Sequence, residues 1–251
     1  MQYIGVDACK YGWFAVSLDE EGWQIKTFSN IFSLWNCYKD AALVLVDVPI
    51  GLRERDNNER LCDKEARKLL GYKRGSSVFP VPCRAAVYAK SYEEASKINQ
   101  NNTGRKLSKQ SWGIIPKIKE VDQLLSSNMA ARAKIREIHP EVCFWAFTGY
   151  KPMTYSKKKG LGFEKRLEVL SSIYPKTQDV VDSALSTYLR REVAKDDILD
   201  ALVAAVTASM AKRGLLTIPV TLETDMVGLP MEMVYNDFHP RASSKPVITS
   251  G

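Results

Sequence analysis

The stretch Ala41-Ala42-Leu43-Val44-Leu45-Val46-Asp47-Val48-Pro49 decides the fold. Apart from Asp47, every residue before Pro49 is apolar. Such a short continuous run suits a strand covered on both faces, which implies a parallel neighbour and helices on either side. Pro49 and Gly51 end it. A carboxylate at the end of such a run is expensive unless something pairs with it, so Asp47 is the first candidate for function.

Toward the N-terminus, residues 2–8 (Gln-Tyr-Ile-Gly-Val-Asp-Ala) read as another strand with an acid, Asp7, at its end. Gly12 marks a turn, Trp13 to Leu18 reads as a second strand, and Trp23 to Phe28, after the turn Asp19-Glu20-Glu21-Gly22, as a third. Ser29 or Asn30 caps a helix over 31–39, with Ile31, Leu34, Trp35 and Tyr38 at helical spacing. The order β-β-β-α-β opens an RNase H-like α/β fold: a mixed central sheet, antiparallel meander plus parallel strands, flanked by helices. Other mixed folds begin similarly.

Downstream of Gly51 the chain turns polar. Helical pieces are predicted near 57–71 and 92–99, separated by the loop Phe79-Pro80-Val81-Pro82, and 99–109 is expected to be mobile. Residues 51–116 carry too few apolar side chains for a core of their own and read as an insertion packed on the sheet. Pro116 is expected to open a helix over 117–131. A strand over 133–138, helices over 141–147, 160–174, 178–190 and 196–213, and short strands over 215–220 and 232–235 complete a single domain spanning 1–240. Residues 241–251 read as a disordered tail.

Bulk properties narrow the function classes. The 251 residues are 45% apolar and 26% charged, ordinary for a soluble globular protein. No run approaches the ~18 apolar residues of a membrane span, and no basic region precedes the first strand, so no membrane association and a cytoplasmic location are expected. Cys9, Cys37, Cys62, Cys83 and Cys143 are odd in number and widely spaced without Cys-x-x-Cys, which argues against a disulfide framework or zinc knuckle. With only His139 and His239, histidine metal sites are nearly excluded. The net charge of +7 is concentrated in residues 51–120, where 16 Lys/Arg face 8 Asp/Glu, compatible with a polyanionic partner. Neither a P-loop nor Gly-x-Gly-x-x-Gly occurs.

The third acidic element is Lys195-Asp196-Asp197-Ile198-Leu199-Asp200-Ala201-Leu202. On a helix Asp197 and Asp200 share a face. Asp196 is the expected N-cap, favoured also by the helix dipole. Asp200 adjoins Ile198, Ala201, Leu202 and Ala205, and small residues at 201, 204, 205 and 208 allow this helix to lie close to the sheet. If the strands ending in Asp7 and Asp47 are parallel neighbours, their carboxylates stand side by side at the end of the sheet where ligands collect. Carboxylates packed together raise one another's pKa, and a divalent cation removes that penalty. Oxygen donors without His or Cys select Mg²⁺ or Mn²⁺, and two such ions ~4 Å apart can drive phosphodiester cleavage.

These residues resemble the DUF429 family of predicted RNase H-like nucleases. The matching stretches are Gly5-Val6-Asp7 with Gly12-Trp13, Asp47-Val48-Pro49-Ile50-Gly51-Leu52, Ser77-Val78-Phe79 through Pro82 to Arg84, Glu137-Ile138-His139-Pro140-Glu141, Gly160 to Arg166, and Asp196-Asp197-Ile198-Leu199-Asp200-Ala201. The resemblance implies a RuvC-type arrangement, with acids on the first strand, the fourth strand and a late Asp-x-x-Asp helix. Residue by residue these are Asp7, Asp47, Asp197 and Asp200, expected as catalytic residues and metal ligands. RuvC-type nucleases often carry Glu on the fourth strand, whereas this chain has the shorter Asp47.

Glu137 is a candidate fifth metal ligand at the same sheet end. Glu141 reads more readily as part of a helix start with Pro140, and His139 as a loop hydrogen-bonding residue. Arg84, after a proline-stiffened loop, suits either a phosphate or a structural ion pair. Lys157-Lys158-Lys159 and Lys165-Arg166 form a basic cluster, from which Lys159 and Arg166 join Arg84 as candidate substrate contacts. The leading expectation is a Mg²⁺- or Mn²⁺-dependent nuclease acting on DNA or RNA. A non-catalytic nucleic-acid or partner-binding module is the alternative. An actin-like ATP-dependent phosphotransferase ranks third, because the turn Ala8-Cys9-Lys10-Tyr11-Gly12 lacks the Thr or Ser of a phosphate turn. Strand preference, endo or exo action and oligomeric state are not legible.

Overall fold

Pairing of alternating apolar residues builds the sheet. A computed structural model describes residues 1–55, 58–157 and 160–237. Lys158, Lys159, His239 and the 241–251 tail lie outside the described residues. Strands β1 (Tyr3–Ala8), β2 (Trp13–Leu18) and β3 (Trp23–Phe28) form the antiparallel meander. The Asn30 side chain caps α1 (Ile31–Tyr38) by accepting from the Ser33 amide at 2.9 Å. The decisive apolar run forms β4 (Leu43–Val46), parallel to β1. Strand β5 (Ile135–Glu137) is parallel to β4, giving the order β3-β2-β1-β4-β5. This is the mixed sheet of an α/β RNase H-like architecture.

Between β4 and β5 come α2 (Leu61–Arg74), α3 (Arg84–Val87), α4 (Tyr92–Thr103), α5 (Lys109–Ser127) and α6 (Met129–Lys134). After β5 follow α7 (Pro140–Phe147), α8 (Gly160–Ile173), α9 (Thr177–Thr187), α10 (Lys195–Ser209), β6 (Leu216–Thr224) and β7 (Pro230–Tyr235). Strands β6 and β7 pair as a separate hairpin, tied to the main sheet by an Ile138–Val234 bridge.

Strand alternation divides the core in two. Tyr3, Leu43 and Leu45 pack with Phe144, Leu170, Val181, Leu202 and other residues of α7 to α10. Ile4, Val6, Val44 and Val46 pack on the other face, with Leu34 and Trp35 of α1 and Ile118, Val121 and Leu125 of α5. Val87, Ala95 and Leu107 belong to that second cluster, so the segment after β4 shares the sheet's core.

Three local expectations are corrected. Pro116 does not open a helix but lies inside α5, which begins at Lys109 behind a Ser108 cap. The cap and the run Ile115, Ile118, Val121, Leu125 carry the helix through the missing N–H. Residues 99–103 belong to α4: buried Asn99 accepts from the Cys83 amide at 2.9 Å and donates to the Arg105 carbonyl at 2.9 Å. Asp196 is not the N-cap of α10. That position is Ala194, and Asp197 reaches back to accept from its amide at 2.9 Å.

Candidate active site

Parallel pairing sets the first two acids. Val6 is in register with Val46, and the Asp47 amide donates to the Val6 carbonyl at 2.9 Å. Residues 3, 5 and 7 of β1, and 43, 45 and 47 at β4, therefore face the same side, toward α10. Gly5 lets that helix descend: a Cβ there would lie 2.0 Å from the Ala205 nitrogen and 2.1 Å from the Ala201 carbonyl oxygen. The close approach carries buried Asp200 to the strand ends. Asp7, Asp47 and Asp200 each place a carboxylate oxygen within 4.8 Å of the others. Asp197 is outside this group of three, occupied with the Ala194 amide.

The triad is electrostatically loaded. Burial, then Asp47, Asp200 and Asp197, holds Asp7 well above the usual carboxylate range. Asp47 is raised well above it too, by burial and then by Asp200. Asp200 is raised by burial, against the opposing pull of Lys157. Burial pushes Asp197 up to about 6, although the Ala194 amide acts the other way. Like charges at such range repel by roughly 3–4 kcal/mol per pair at an effective dielectric near 20. The Lys157 ammonium pairs with Asp200. Burial opposes its charge, but Asp200, Asp7 and Asp47 outweigh burial and keep it cationic.

The triad suits a hard divalent ion. Its donors are all oxygen, with no thiol or imidazole among them. When ionised, the three acids have one ion-paired cation among the described residues, Lys157, which leaves the excess negative charge that a dication neutralises. Asp7 and Asp47 lie on the wall of a cleft of about 430 Å³, shared with Lys157, Glu141, His139, Phe79 and Ile114. Burial lowers His139 to about 4, so it is neutral at pH 7.

The remaining sequence candidates are placed differently. Glu137 is buried and held by Arg60, whose Nη1 and Nη2 donate to its two oxygens at 2.7 and 2.8 Å. Arg60 also meets Asp63 at 2.6 Å and the Ile50 carbonyl at 2.9 Å. The Cys62, Asp63 and Glu137 group thus already contains its cation, and Glu137 is a structural partner rather than a fifth ligand. Arg84 takes the ion-pair role: it meets Glu54 at 2.7 Å, Asp122 at 2.5 Å and also Asp225. Arg166 is fully buried, and its Nε and Nη2 both donate to one Glu141 oxygen, at 3.1 and 2.5 Å. Neither arginine offers a free fork to a phosphate. Lys159 lies outside the described residues.

Sequence reasoning missed Arg60, placed Lys157 only in a basic cluster, and read Glu141 mainly as a helix start. Glu141 is buried, and its second oxygen has no hydrogen-bond partner among the described residues. Its position beside Pro140 is a visible helix start, but nothing local marks the free oxygen. Arg60 sits in a polar stretch with no apolar signal, and Lys157 is one of three consecutive lysines.

A family model described as "Protein of unknown function (DUF429)" matches residues 5–224. The chain belongs to the DUF429 family. The match spans β1 through β6 and so includes Asp7, Asp47 and Asp200. No similar protein was found among curated proteins, and none among solved structures. Among the described residues, no helix of this DUF429 chain is long and apolar enough to cross a membrane.

Proposed function

We propose that this chain is a metal-dependent nuclease that hydrolyses phosphodiester bonds in nucleic acid. One observation carries the reading: oxygens of Asp7, Asp47 and Asp200, far apart in sequence, converge within 4.8 Å, and Asp7 and Asp47 line an open cleft. Uncompensated, that convergence is destabilising, and fold stability alone gives no reason for it. Asp7, Asp47 and Asp200 would hold Mg²⁺ or Mn²⁺, which would supply Lewis acidity toward water and phosphate oxygens. In the reaction, water adds its oxygen to phosphorus and the bond to one ester oxygen breaks. One water proton ends on that oxygen, giving a phosphomonoester and an alcohol.

Part of the middle segment's positive charge is already neutralised within the protein. Arg60, Arg67, Arg84 and Arg105 are each ion-paired to protein carboxylates. Catalysis is favoured over binding alone by the converging carboxylates, which would repel a polyanion unless a cation were bound. The test compares wild type, Asp7→Asn and Asp47→Asn on single-stranded and duplex DNA and RNA with Mn²⁺. Cleavage by wild type and at least a thousandfold loss in both variants is expected. Undiminished Mn²⁺-dependent cleavage in both variants would eliminate the reading.

A further inference from the structure

Lys157 is delivered to the acids by backbone that is fixed on several sides. Arg74 donates to the Met153 carbonyl at 3.0 Å and to the Thr154 carbonyl at 3.2 Å. Arg166 donates to the Tyr155 carbonyl at 3.0 Å. Gly162 lies so near Ser156 that a Cβ would stand 1.9 Å from the Ser156 carbonyl oxygen. Each of the four residues before Lys157 is thus held by a distinct contact. The lysine side chain is 33% exposed, whereas that of its partner Asp200 is 2% exposed. Its ammonium meets the buried Asp200 carboxylate, while part of the side chain stays accessible and lines the cleft.

A surface lysine in a basic run has no need of such anchoring, because its charge is best solvated in water. Here the ammonium pairs with Asp200 and is attracted by Asp7 and Asp47 as well. Charge balance limits what else the triad can hold. Asp7, Asp47 and Asp200 carry three negative charges when ionised. Lys157 offsets one, and a single dication offsets the other two. A second dication in the same site would add positive charge beyond what the three carboxylates balance once Lys157 is paired there.

We propose that Lys157 is a catalytic residue that takes the place of a second metal ion. The centre then holds one divalent cation and one ammonium, and the ammonium contacts a non-bridging oxygen of the phosphate being cleaved. This rests on the nuclease reading above and replaces the two-ion expectation drawn from the acids alone. Arg74, Arg166 and Gly162 act through Lys157 as positioning residues. Arg166 thereby serves the site without touching substrate.

The deciding experiment counts Mn²⁺ bound per full-length chain by titration calorimetry and electron paramagnetic resonance. It uses wild type, Lys157→Met and Lys157→Arg, each shown to be folded by its thermal transition. Wild type is expected to bind one ion. Lys157→Met is expected to bind a second ion, or the first at least tenfold more tightly, while cleaving at least a hundredfold more slowly. Lys157→Arg should return the count to one and recover part of the cleavage. Two ions in wild type, with count and affinity unchanged in Lys157→Met, would overturn the role of the lysine and leave the nuclease reading standing. No ion bound and no cleavage by wild type would overturn both.

Discussion

Gly5 and Ala205 meet backbone to backbone, so closely that a methyl group on Gly5 would stand 2.0 Å from the Ala205 nitrogen. This contact fixes the height of α10 above β1 and with it the reach of Asp200 toward Asp7. Gly5→Ala must push the helix away. Overpacking of this kind costs about 2–3 kcal/mol, to be read from urea unfolding, and should weaken Mn²⁺ binding as well. Gly113→Ala is the control: Gly113 lies exposed in α5 with open space around it, and the change should be neutral or add up to about 1 kcal/mol.

Stability should depend on pH in a direction opposite to that of a salt-bridged protein. Asp7, Asp47, Asp200 and Asp197 all have raised values in the fold, Asp197 at about 6. The folded state therefore binds more protons than the unfolded chain above the ordinary aspartate value near 3.9. Metal-free protein should lose stability as pH rises from about 4 through 6, with Asp7 and Asp47 adding to the loss. Urea midpoints in chelator should fall across that window. Added Mn²⁺ should raise them most at pH 7, where the acids are closest to full charge. A flat profile in chelator would contradict the acid cluster.

Arg60→Met should be severely destabilising. It leaves Asp63 and Glu137 buried without their cation, a change that typically costs 3–5 kcal/mol. Burial already pushes Glu137 up to about 7 against the pull of Arg60. Without the arginine it should be protonated at neutral pH, which a carboxyl infrared band would report.

Arg84→Ala separates a structural role from a substrate contact. Loss of its pairs with Asp122, Asp225 and Glu54 should cost about 3 kcal/mol in unfolding free energy. The salt dependence of nucleic-acid binding should not change. A shallower salt slope in this variant, by about one counterion, would restore Arg84 as a phosphate contact.

The sheet order and the position of two acids were legible because strand chemistry is local. A parallel partner for Leu43 to Val46 follows from its apolar continuity, and period-two alternation places Asp7 and Asp47 on one face. The docking of α10 was visible in its small residues at 201, 204, 205 and 208. What stayed hidden depends on long-range pairing. Glu137 sits at the expected sheet end, yet Arg60, 77 positions earlier, claims it. Arg84 and Arg166 carried no mark of the carboxylates waiting for them. Among the consecutive lysines 157–159, only the fold singles out Lys157.

The acid triad draws on both early and late parts of the chain, with Asp7 from its first strand and Asp200 from α10. A polypeptide that ends before Lys195 carries Asp7 and Asp47 side by side but lacks Asp200. Under the nuclease reading, such a truncated chain should neither hold Mn²⁺ nor cleave, because the third oxygen of the site comes from Asp200.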